Sequence, residues 1–303
     1  MMAARRFMRF GSAGVLGALA VLAASCGGKG REEASGKVRV FVSIEPQACF
    51  AERVGGAHVE VHVLVPPGQS PETYDPTPQQ LAGLAEAQVY FRIGVPFERA
   101  LARKIQATMK GLEIVDTREG ITLLPMAEGH AHEEPGEEGQ RDPHIWLDPM
   151  LVKVQAATMA RALAKLDPAH AADYEKNVAA FDADLDAANA RIGAELAPLK
   201  GRQFFVFHPA FGYFAHAYGL KQVAVEEEGK APSARQLGAL IEKAKKEGAK
   251  TIFVEPQFSQ RSAEAIAQAI GGDVVPLDPL ARDYIANLEQ MAAAIKKALE
   301  ARP

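Results

Sequence analysis

Cysteine is nearly absent from this chain: Cys26 and Cys49 are the only two in 303 residues. A disulfide framework, the usual staple of small secreted domains, is therefore not what holds it together. Basic charge is not in excess either, since 34 lysines and arginines face 38 aspartates and glutamates. A mildly acidic surface argues against nucleic acid as a partner. Neither a His-Glu-x-x-His pair nor a Gly-x-Ser-x-Gly elbow occurs, so the sequence signatures of common metallo- and serine hydrolases are missing. Long apolar runs are lacking too. The one near the start, from Phe10 to Ala24, is too short and glycine-rich to span a bilayer comfortably.

That stretch follows Arg5, Arg6 and Arg9 and reads as a secretory signal over residues 1–25. Ala23-Ala-Ser-Cys26 then resembles a lipobox, in which Cys26 is lipidated and becomes the new N-terminus, with residues 26–36 as a flexible tether. Alanine stands at position 23 where leucine is usual, and ordinary signal-peptidase cleavage is the alternative. Removing residues 1–25 leaves 31 basic against 38 acidic residues, a net charge of −7. Cys49 is then the one unlipidated thiol. It lies in the helix-like stretch 46–54, where a buried structural role is expected.

From Val38 onward strand-like and helical runs alternate. Residues 38–44, 59–65 and 89–93 read as strands, with helices reaching Val54 and covering 78–87 and 97–109. Residues 203–207, 220–225, 251–254 and 273–276 repeat the plan. Such alternation predicts an α/β fold of mostly parallel sheets covered by helices. In the second half Leu237, Leu240, Ile241 and Ala244 follow a helical stripe, with Ser233 as N-cap and Gly248 as stop. Between the halves, Val178, Phe181, Leu185, Ala188, Ile192 and Leu196 recur at three- and four-residue steps. A helix over 168–197 is about 45 Å long. It predicts a rigid strut joining two lobes, the alternative being an ordinary surface helix of a single domain. The expected parts are an N-terminal lobe over 37–167, a linking helix over 168–198 and a C-terminal lobe over 199–303.

Two histidines stand in short, proline-punctuated contexts: His144 in Asp142-Pro-His-Ile-Trp-Leu-Asp-Pro149 and His208 in Phe204-Phe-Val-Phe-His-Pro-Ala-Phe211. An adjacent proline narrows the backbone conformations and presets the imidazole. Asp278 ends the apolar run Val274-Val-Pro-Leu277, and Glu72 sits in Pro66-Pro-Gly-Gln-Ser-Pro-Glu-Thr-Tyr-Asp-Pro76. Two imidazoles and two carboxylates form a plausible cage for a first-row divalent cation. Glu72, His208 and Asp278 each follow a strand, the edge at which open α/β sheets bind ligands. Glu72 and His144 precede the long helix and His208 and Asp278 follow it, which places the site between lobes with two ligands from each.

Five blocks in this order resemble the metal-specific solute-binding proteins of ABC importers for zinc or manganese, the cluster A-I group. They are Leu64 to Pro78, Asp142 to Pro149, Phe207-His-Pro-Ala-Phe-Gly-Tyr-Phe214, Ile252-Phe-Val-Glu-Pro-Gln-Phe258 and Leu277-Asp-Pro-Leu280. The resemblance covers essentially the whole mature chain. It implies two lobes bridged by one long helix, limited hinge motion, and one metal ligand from each of four blocks, here Glu72, His144, His208 and Asp278. It also implies an extracytoplasmic receptor, periplasmic or on the cell surface. The expected receptor is a lipid-anchored monomer that delivers its ion to a membrane permease and, through it, to an ATPase. Histidine is usual where this chain has Glu72. Either Glu72 ligates, or it turns to solvent and leaves three protein ligands plus water. His208 favours the zinc-binding branch, while Glu72 shifts the set toward oxygen and keeps manganese, or iron, as the alternative.

Some residues carry softer expectations. Gly129-His-Ala-His-Glu-Glu-Pro-Gly-Glu-Glu138 resembles a shortened histidine-rich loop of zinc-binding members; His130 and His132 either collect zinc weakly or belong to a solvated insertion without function. Glu255 is a candidate to orient a ligand histidine or to make a structural hydrogen bond. Trp146 reads as packing beside His144, and Glu226-Glu-Glu-Gly229 as a loop. A secreted metallohydrolase is the rival class, since two histidines and a carboxylate can activate water. A surface adhesin is the other, with no residue here naming its partner.

Overall fold

The two halves of the chain build two sheets of four parallel strands in the same order. The computed structural model describes residues 36–126, 141–224, 234–258 and 260–301. The first half runs β1 (Val38–Val42), α1 (Glu45–Gly55), β2 (Val59–Val63), α2 (Pro78–Ala85), β3 (Val89–Arg92), α3 (Phe97–Thr108) and β4 (Glu113–Asp116). Then come α4 (Pro149–Leu166) and α5 (Ala171–Leu196). The second half runs β5 (Gln203–Val206), α6 (Gly212–Tyr218), β6 (Lys221–Ala224), α7 (Ala234–Lys246), β7 (Thr251–Val254), α8 (Gln260–Ile270), β8 (Asp273–Pro276) and α9 (Tyr284–Glu300). Strand orders are β2-β1-β3-β4 and β6-β5-β7-β8, with every ladder between these strands parallel. The signal segment, Cys26, the His130 to Glu138 loop, Glu226 to Gly229 and Ser233 lie outside the described residues.

Two lobes of parallel sheet and helix, linked by α5, are thus the observed architecture, as the alternation of apolar runs predicts. In each sheet the order reverses beside the first strand, between β1 and β3 and between β5 and β7, so each has a crevice beyond its carboxyl edge. Local chemistry fixes the elements that flank these crevices. Thr77 and Gln80 form a reciprocal capping box at the start of α2, with Pro78 in the first turn. Asp148 caps α4 by accepting from the Met150 N–H, again with proline following.

Packing shows why α5 is a strut. It is 26 residues long, about 39 Å, but it is not free-standing. Its buried stripe of Tyr174, Phe181, Leu185, Ala188, Ile192 and Leu196 meets α1, α4 and α9. Phe50 of α1 packs on Phe181 of α5 and takes the Tyr284 ring edge-on at 4.8 Å. Arg282, just before α9, bonds to Glu45 and Glu52 of α1. Alternation along the second sheet completes the arrangement. Phe204, Val206 and Phe253 join the core shared with the first half, whereas Phe205, Phe207, Ile252 and Val254 form a separate cluster with residues of α7 and α8. Neither α4 nor α9 is marked out by the sequence reading, yet together they join the halves through one apolar core. Cys49, expected to be buried, is only partly so, and burial still raises its thiol pKa.

Candidate metal centre

Three loops converge on one point, and each is built to hold a single side chain. His208 follows β5 directly. Its backbone N–H donates to Glu255 Oε2 at 3.2 Å, and its ring stacks on Phe258 with centroids 4.8 Å apart. Glu255, fully buried after β7, therefore positions the main chain at His208. His144 lies one turn before α4. Asp142 Oδ1 accepts from its backbone N–H at 2.9 Å and bonds to its Nδ1 at 2.7 Å. A carboxylate on Nδ1 selects the tautomer that leaves Nε2 as the electron-pair donor. A Cβ at Gly212 would lie 2.5 Å from Asp142 Oδ2, so the glycine opening α6 makes room for that carboxylate.

The His144 loop precedes α5 in sequence but is tied to elements that follow it. Trp146 Nε1 donates to the Pro279 carbonyl at 2.8 Å, and the Tyr284 hydroxyl donates to the Trp146 carbonyl at 2.7 Å. The Tyr213 hydroxyl donates to the Asp142 carbonyl at 2.9 Å and accepts from the Leu124 N–H. Burial pushes the Tyr213 pKa up, which keeps it a donor. Trp146 does more than pack. It ties the His144 loop to Pro279 and Tyr284.

Glu72 comes from the loop after β2, which is braced by Gln80 donating to the Leu64 carbonyl at 2.6 Å. Its side chain is only 8% exposed, and Oε1 lies 3.7 Å from His208 Nε2. Of the two orientations open from sequence, the carboxylate thus takes the one facing the imidazoles. Glu72, His144 and His208 offer ligand atoms all within 4.8 Å of one another. The His144 and His208 ring centroids are 5.3 Å apart. Tetrahedral zinc bonds of about 2.0–2.2 Å separate ligand atoms by about 3.4 Å, so a modest contraction completes the fit. The three residues line a cavity of about 20 Å³, room for one water or one ion.

Asp278, expected as a fourth member, is not brought into this group. Its Oδ1 accepts instead from Gln257 Nε2 at 2.9 Å and from the Leu280 N–H at 3.0 Å. Among the described residues, the converging group has two residues from the first half and one from the second. An amide donor within reach and a backbone turn compete for the carboxylate, and neither is visible in the run that precedes it. Asp142 and Gln257 were missed. Asp142, two residues before His144, could have been found from its habit of bonding the backbone two positions on.

Comparison with known proteins now bears on this geometry. Residues 40–298 match the family described as ZnuA, zinc-uptake complex component A, periplasmic. The chain belongs to the ZnuA family. The high-affinity zinc uptake system protein ZnuA of Brucella abortus is 32% identical, over 87% of this chain and 89% of its own length. A crystal structure of ZnuA is similar with a TM-score of 0.80 and 46% identity, covering 86% of this chain and 99% of that one. A zinc-bound deletion mutant of ZnuA gives 0.79 and 46%, covering 86% and 98%. The ZnuA match spans Glu72, His144, His208 and Asp278 alike. As a ZnuA-family chain this is a component of an uptake system, a binding protein and not a hydrolase.

Proposed function

We propose that this chain is the extracytoplasmic receptor of a high-affinity zinc importer, holding Zn²⁺ on Glu72, His144 and His208 and passing it to a membrane permease driven by an ATPase. The convergence of one carboxylate and two imidazoles in an ion-sized cavity carries this reading. Two nitrogens and one oxygen suit zinc better than manganese, which prefers oxygen. Water takes the fourth position while Asp278 stays bonded to Gln257. Family membership supports the uptake role. Protein purified without added metal should carry one zinc per chain by elemental analysis, and manganese in competition should not displace it. An empty protein that binds neither ion, or one that prefers manganese, would refute the assignment.

Anchoring by a lipid on Cys26 is part of the same proposal, with residues 1–25 removed and 26–36 as the tether. Cys26→Ala should abolish incorporation of a labelled fatty acid into the protein, since Cys26 is the proposed lipidation site. Fatty-acid incorporation undiminished in that variant would exclude the assignment. The segment His130 to Glu138 is assigned an accessory role. Its deletion should leave one tight zinc per chain in a calorimetric titration and abolish weaker extra binding; loss of the tight site would mean that a ligand lies in that segment.

A further inference from the structure

A second cavity, of about 380 Å³, adjoins the metal cavity. Gln257 and Leu280 line both spaces and so stand where the two meet. Carboxylates of Glu45 and Asp278 line the larger chamber together with Arg282, whose guanidinium is already shared between Glu45 and Glu52. Its net charge therefore draws cations. Six waters occupy about 180 Å³ at liquid density. A hydrated divalent ion fits the chamber, whereas only a stripped ion fits the roughly 20 Å³ of the metal cavity.

Gln257, where the two spaces meet, is half satisfied. Its Nε2 donates to Asp278 Oδ1 at 2.9 Å, and the assignment follows from chemistry, because an ionised carboxylate only accepts and the amide nitrogen must face it. Gln257 Oε1 is then buried with no hydrogen-bond partner among the described residues. A buried, unmet acceptor is costly and rare. Here it stands at the boundary between the space that fits a hydrated cation and the space that fits a bare one.

We propose that Gln257 is the latch on the ion's path, shut by its bond to Asp278 and opened when the cation or one of its waters reaches the free amide oxygen. Asp278, released from the amide, meets the ion at the threshold. This proposal rests on the zinc-receptor assignment of the centre. The latch sets how fast zinc exchanges; Glu72, His144 and His208 set how tightly it is held.

Trp146, the chain's single tryptophan, has its ring 5.1 Å from that of His144 and serves as a stopped-flow reporter of zinc association. Release is followed by transfer to an excess of coloured chelator. Gln257→Met keeps the side-chain length and loses both hydrogen-bonding atoms, and Gln257→Ala also removes most of the side chain. In each variant, zinc association should accelerate by about tenfold or more. Unchanged rates in both variants would overturn the latch. Faster release at unchanged association would also overturn it, since Gln257 would then be a ligand of the resident ion. Failure of the parent protein to bind zinc would defeat the receptor assignment itself and the latch with it.

Discussion

Zinc binding is expected to weaken at least about tenfold when either His144 or His208 is replaced by alanine, with the fold retained. Each imidazole supplies one of three ligand atoms, and even residues that only orient a metal ligand typically cost 10–100-fold in affinity when lost. Both residues are buried, at 3% and 7% exposure, but they line the cavity and are not members of the apolar core. Truncation should therefore spare the packing of Phe50, Phe181 and Tyr284. Zinc in excess stabilises the folded state by mass action, and a tenfold weaker Kd removes about 1.4 kcal/mol of that stabilisation. Thermal unfolding should accordingly show a normal apo transition and a reduced upward shift on adding zinc. Near-native affinity in either variant would remove that histidine from the site.

Glu72 should give the second large effect. Glu72→Gln keeps the shape but replaces a charged carboxylate with a neutral amide, a poorer ligand. Its affinity for zinc and manganese should fall. Glu72→His should bind zinc at least as well as the parent and lose manganese, because a third imidazole nitrogen favours zinc. The charge argument is direct: with Asp278 bonded to Gln257, Glu72 is the one carboxylate in the group of three facing the cation. Competition titration of both metals against the three proteins separates the outcomes. If both variants bind both metals as the parent does, the carboxylate beside His208 is not a ligand.

Much of this molecule is legible in one dimension. Thr251–Val254 and Asp273–Pro276 appear as strands at the bounds expected from their apolar runs, and the other expected strands differ at their ends by a residue or two. Proline beside His144 and His208, and a strand before His208, signal prearranged imidazoles from sequence alone. Local signals work here because they act over a few residues: φ restriction, capping at Thr77 and Asp148, and the strand alternation that sends Phe204 and Val206 to one core and Phe205 to the other.

Partner choice was decided elsewhere. Sequence determined that the chain alternates strand and helix, that it has a long amphipathic linker, and that Glu72, His208 and Asp278 follow strands at the sheet edge where ligands bind. Only tertiary structure decided that Glu72 turns inward, that Asp278 bonds to Gln257 and not to the histidine cluster, and that Trp146 and Tyr284 fasten the His144 loop to segments more than a hundred residues away. The physical reason is competition. A carboxylate accepts from whichever donor the fold brings within about 3 Å, and that distance depends on how α9, α5 and the two sheets pack, which no local pattern records.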